Sequence, residues 1–157
     1  MKTHPLLHII TLACATASLS ACARYSLSTL TEPPAFEPRG DDGVVCVVRA
    51  GGVGSALTLP IRDNGALVGA TEGASHFCYY AAPGVHVLSA QVSDAADLEI
   101  EVAPAARVFV EHKVAIGRDR LVLVDVAAGQ AIARRTDYVV IDESDDVAVE
   151  QRVQAKP

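Results

Sequence analysis

From Val44 onward the chain breaks into short runs of β-branched and aliphatic residues, punctuated about every 8–12 residues by Gly, Pro, Asn or Asp. That punctuation constrains the fold more than any other feature. It leaves no stretch in which apolar residues recur with helical period over several turns, so the apolar surface has to be buried by strands. Val44–Arg49 is apolar on both faces and reads as a central strand. Ala56–Arg62 alternates, and Pro60 within it predicts an edge position or a bulge. Asp63-Asn64-Gly65 is a hairpin signal, because a type I′ turn requires positive φ at both central residues. Leu67 and Val68 form the return strand, up to Gly69. Ser75–Tyr80 and Val85–Val92 flank a Pro83-Gly84 turn. Leu98, Ile100 and Val102 alternate with acids as a half-buried strand. Arg107–Ile116 places Val108, Val110, Val114 and Ile116 on one face with His112 among them, and Leu121–Val126 follows as a further strand. Ala127–Arg135 reads as a short helix or an irregular connection, and Tyr138–Ile141 as a final edge strand. The expected fold is all-β: a small antiparallel β-sandwich of about seven or eight strands over residues 44–142.

The N-terminal region carries a different signal. Lys2 precedes a mostly apolar stretch, Leu6–Leu19, too short and interrupted for a membrane span of about 20 apolar residues. It fits the apolar region of a secretory signal peptide. Leu19-Ser20-Ala21-Cys22 then resembles the lipobox of bacterial lipoproteins, in which small residues admit the peptidase and the cysteine thiol takes the lipid. Cys14 competes, but Thr11-Leu12-Ala13 lacks the aliphatic residue at the third place before it. The alternative is an ordinary secreted protein cut at a small-residue site, or an uncleaved anchor. We expect a signal peptide over 1–21 and lipid attachment at Cys22. Ala23 after the cysteine, rather than Asp, points to the outer membrane facing the periplasm.

Residues 22–43 are expected to be a lipidated tether, with Pro33, Pro34 and Pro38 favouring extended backbone; part of it packing as an edge strand is the alternative. Residues 143–157 are expected to be an acidic, disordered tail. Loss of residues 1–21 removes Lys2 and no acid, leaving 12 basic against 19 acidic groups, a net of −7. A chain so charged has no field for nucleic acid and is repelled by an anionic bilayer, so membrane attachment rests on the lipid.

Few residues are arranged for chemistry. With Cys14 removed and Cys22 lipidated, Cys46 and Cys78 remain as an even pair in an oxidising compartment. A disulfide between them is favoured over two buried thiols too far apart, and would add roughly 3 kcal/mol. His76, His86 and His112 show no H-x-x-x-H or H-E-x-x-H spacing and no C-x-x-C occurs, so they are read as strand histidines and no metal or cofactor is expected. His76 and His86 become neighbours only if their strands pair, with Glu111 a possible carboxylate ligand. Ser55 follows Gly54 without the second glycine of a nucleophile elbow, and Gly51–Gly54 lacks the Lys of a phosphate loop. Phe77, Tyr79 and Tyr80 are read as one core set and one surface set, with a carbohydrate-stacking surface as the alternative.

Taken together, Arg49 at the end of a valine-rich strand, Gly54-Ser55, Asp63-Asn64-Gly65, Leu67-Val68-Gly69, Pro83-Gly84-Val85-His86 and Leu121–Val126 resemble a family of bacterial lipoprotein domains of unknown function. These look related to PEGA-type, carbohydrate-binding-like β-sandwiches. The resemblance covers about Val44 to Val126, and departs from the pattern at Cys78 and in the segment after Gly69. It implies fold and location and carries no catalytic residues. The resulting expectation is a membrane-anchored envelope lipoprotein with a non-enzymatic binding or structural module and an envelope protein or glycan as partner. A peptidoglycan-binding module and an envelope hydrolase are the alternatives.

Overall fold

A computed structural model describes residues 25–90 and 97–142. The expected signal peptide, Cys22 and the expected tail after Asp142 lie outside the described residues.

The described chain forms ten strands and one helix, in two packed sheets. In chain order these are β1 (Leu27–Thr29), β2 (Gly43–Ala50), β3 (Leu59–Asp63), β4 (Ala66–Thr71), β5 (Ala74–Ala81), β6 (Gly84–Ala90), β7 (Leu98–Val102), β8 (Arg107–Ala115), β9 (Arg118–Val124), α1 (Val126–Ala133) and β10 (Asp137–Ile141). A six-stranded sheet runs β1-β10-β5-β2-β8-β9, and a four-stranded sheet runs β4-β3-β6-β7. The molecule is an all-β sandwich, as its alternating runs imply.

Each local signal has a structural counterpart. β2 is central and buried on both faces: Val45 and Val47 point between the sheets, Val44, Cys46 and Val48 to the outer face. Asn64 (φ 48°) and Gly65 (φ 86°) make the two-residue turn joining Asp63 to its partner Ala66. The sandwich core packs Val45, Val47, Ile61, Phe77, Leu88 and Val110. A second layer lies outside the larger sheet, where α1 places Ile132 against Phe109 and Val44. The Asp125 carboxylate caps α1 by accepting from the Ala128 N–H at 2.8 Å.

Five local expectations change. Two pairings, β2–β8 and β10–β5, are parallel. Strand direction follows from the crossovers that separate these strands, and a period-2 pattern reads the same in either direction. β10 lies between β1 and β5 and is not an edge. β3 is likewise internal rather than an edge, and the bulge that Pro60 predicts falls beside it, between Ile61 and Arg62. Ile116 is 88% exposed, because β8 ends at Ala115 and the chain turns through Gly117. Finally, Leu27–Thr29, inside the expected tether, pair with Val139–Ile141 as β1, since β10 offers them a free antiparallel edge.

Candidate functional site

Cys46 and Cys78 are direct partners across the antiparallel β2–β5 pair, and their sulfurs are bonded at 2.04 Å with Cα atoms 4.0 Å apart. The bridge lies on the outer face of the larger sheet. The three histidines are separated. β5 and β6 belong to different sheets, so His76 and His86 are not strand neighbours. Glu111 pairs with Lys113 at 3.2 Å. Among the described residues no group of three or more His, Cys, Asp or Glu is placed to hold a metal ion.

Two polar clusters are built into the sandwich. At one end, His112 Nδ1 lies 2.9 Å from the Thr71 hydroxyl and Nε2 lies 3.0 Å from an Asp119 oxygen. Burial pulls the His112 pKa down, so the ring is neutral: Nε2–H donates to Asp119, and Nδ1 accepts from Thr71. Arg49 lies beside them, 1% exposed, donating to the carbonyls of Gly54 (2.7 Å), Leu57 (3.0 Å) and Thr71 (3.3 Å). The guanidinium thereby folds the glycine loop 51–57 against the sandwich. Thr, His and Asp in line have the composition of a hydrolytic triad, but Thr71 is 0% exposed and no substrate reaches it.

The second cluster joins the Asn64-Gly65 hairpin to β5 and β6. Asp63 accepts from the Tyr79 hydroxyl at 2.9 Å and faces His86 Nδ1 at 2.8 Å; His86 Nε2 donates to the Ala82 carbonyl at 2.8 Å. Burial and the Asp63 charge raise the Tyr79 pKa, which keeps the phenol a donor. These contacts anchor the hairpin.

A cavity of about 180 Å³ lies beside this second cluster, and larger concave surfaces lie elsewhere. β10 pairs with β5 at Asp137↔Ser75 and Tyr138↔His76, then turns away to pack Ile141 against Leu67 and Ala70 of β4. A cleft of about 400 Å³ opens in the corner between β4, β5 and β10, lined by Val68, Ala70, Phe77, Tyr80, Val139 and Ile141 among others. Gly69 has to be glycine here, because a Cβ would lie 2.4 Å from the Phe77 ring. The segment around Phe36 straps the opening. The Phe36 ring centroid lies 5.2 Å from that of Tyr80 and 6.2 Å from that of Tyr138, and Arg39 sits 4.3 Å above the Tyr80 ring. Arg107 holds the strap by donating to the Phe36 carbonyl. On its other side a cavity of about 480 Å³ is lined by Cys46, His76, Arg107 and Thr136, among others. Burial raises the Tyr138 pKa while a hydrogen bond from the Cys78 N–H pulls the other way.

Comparison with protein-family models, curated proteins and solved structures finds no match for the chain.

Phe77 and Tyr79 face the sandwich core, whereas Tyr80 lies half-buried on the opposite face beneath Phe36 and Arg39. In sequence, Asp63 reads as turn chemistry, Arg49 as a strand end and Phe36 as part of the tether. One signal pointed further: a histidine among the valines of β8, and an arginine ending an all-apolar strand, both require buried polar partners.

Proposed function

We propose that this chain is a lipid-anchored protein of the bacterial envelope, tethered through Cys22, whose sandwich acts by binding rather than by catalysis. The reading of location rests on the lipobox-like Leu19-Ser20-Ala21-Cys22, and the resemblance to lipoprotein domains accords with it. The observation that carries the binding reading is a contrast. The Thr71–His112–Asp119 row is sealed inside the sandwich, while the strapped corner cleft is open and lined mainly by apolar and aromatic side chains. An apolar concavity of this size with few polar groups suits ligand capture. A glycan partner is the second reading, favoured by Tyr80 in the cleft wall, although that ring is already covered by Phe36 and Arg39.

Two measurements test the proposal. Metabolic labelling with a clickable fatty acid should label the wild-type chain and spare Cys22→Ala; equal labelling removes the anchor. The amphiphilic dye 1-anilinonaphthalene-8-sulfonate should fluoresce on the folded chain and lose that signal in Val140→Arg, which puts a charge in the cleft wall. An undiminished signal in the variant removes the cleft as a binding site.

A further inference from the structure

The register of β5 says what kind of molecule the cleft accepts, an inference that rests on the binding reading above. In an antiparallel pair, partners whose Cα atoms approach closely point their N–H and C=O groups away from each other. Cys46 and Cys78, with Cα atoms 4.0 Å apart, form such a pair. Val44↔Tyr80, two residues on, therefore has the same character, and the Val44 N–H accordingly points the other way, donating to the Ala106 carbonyl at 2.8 Å. The N–H and C=O of Cys78 and Tyr80 are thus directed away from β2, into the cleft. At His76 this side of β5 is taken by β10, and at Cys78 the N–H is met by the Tyr138 hydroxyl. Beyond that, no β5–β10 pair continues the ladder among the described residues. The cleft thus contains a short length of strand edge, flanked by apolar walls.

We propose that the corner cleft binds an extended peptide segment, apolar at alternate positions and bearing one carboxylate, which continues the β5 ladder from the Cys78 carbonyl to Tyr80 and meets Arg39 at the rim. The backbone edge selects a peptide, since strand addition satisfies backbone donors and acceptors that an acyl chain leaves facing hydrocarbon. Strand periodicity sets the alternation: successive side chains point to opposite faces, so every second one meets the apolar wall. Charge complementarity selects the acid, because Arg39 is the one charged side chain among the described residues lining the cleft. Its guanidinium lies over the Tyr80 ring, beside the strand edge the peptide would join.

The test pans a random linear octapeptide library on the full chain, followed by anisotropy titrations of an enriched, end-labelled peptide. Enriched sequences should alternate apolar residues and carry Asp or Glu, and on Arg39→Glu the preference should change to Lys or Arg. Methylating the peptide's backbone nitrogens on alternate residues, in the register that faces β5, should weaken binding at least tenfold (about 1.4 kcal/mol). Binding should also slow amide exchange at Tyr80. Equal affinity of the methylated peptide overturns strand addition, as does displacement of the dye by sodium decanoate but by no peptide. Failure of the dye to bind at all removes the underlying cleft reading instead, so the two failures are separable.

Discussion

Gly129 sits within α1, where general helix propensity predicts that alanine would add about 1 kcal/mol of stability. The tertiary structure predicts the opposite. An alanine Cβ at this position would lie 2.2 Å from Phe109 Cγ, 2.4 Å from its Cβ and 2.5 Å from Cδ1. Each is 1 Å or more inside the ordinary carbon–carbon contact of about 3.5–4.0 Å. Phe109 cannot retreat cheaply, because it is 3% exposed and packed with Val44, Cys46, Val48 and Ile132. Overpacking of this kind costs about 1–3 kcal/mol. With the contacts this short the upper end applies, and the propensity gain offsets only part of it, giving a net loss of about 2 kcal/mol. At a urea dependence of about 2 kcal/mol per molar, the unfolding midpoint of Gly129→Ala should fall by about 1 M. The same substitution in a Phe109→Ala background, which removes Cγ and Cδ1 and leaves only the Cβ contact, should cost clearly less. Stabilisation by Gly129→Ala in the wild-type background, or equal effects in both backgrounds, would refute the close-packing argument.

Three other outcomes follow from the buried groups. Burial lowers the pKa of His112 and of His76 below the ordinary 6.5, so the unfolded chain takes up protons first and stability should fall as pH drops below about 6.5 and through the folded values. Urea midpoints between pH 8 and pH 5 check this, and His112→Gln should flatten part of the slope. Cys46 and Cys78 are 32 residues apart, so Cys46→Ala with Cys78→Ala should cost about 3–4 kcal/mol by loop entropy. Addition of a thiol reductant that leaves the wild-type midpoint unmoved would count against a contributing bridge. Arg49→Met leaves the carbonyls of Gly54, Leu57 and Thr71 without their donor and should cost about 3 kcal/mol, with faster proteolysis at residues 51–57. Unchanged proteolysis there would show that the loop is held by other contacts.

What was legible in the sequence was local. The apolar run of β2, the alternation in Leu98–Val102 and the positive-φ turn at Asn64-Gly65 are each set by neighbouring residues, so short-range pattern sufficed to read them. The all-β class followed from their repetition. The exposure of Ile116, the interior place of Pro60 and the parallel pairing of β2 with β8 depend on where each strand ends and which neighbour it meets.

The polar row and the cleft lie further still from local pattern. Thr71 meets His112 across 41 residues of sequence, and Tyr80 meets Phe36 where the segment after β1 passes over β5. The sequence by itself determined the strand-forming runs and their turns, because backbone conformation and side-chain alternation are local properties. Only the tertiary structure decided which polar groups are sealed and which strand edge is left open, because those depend on long-range pairing, where β10 follows β5 for two residues and then leaves it.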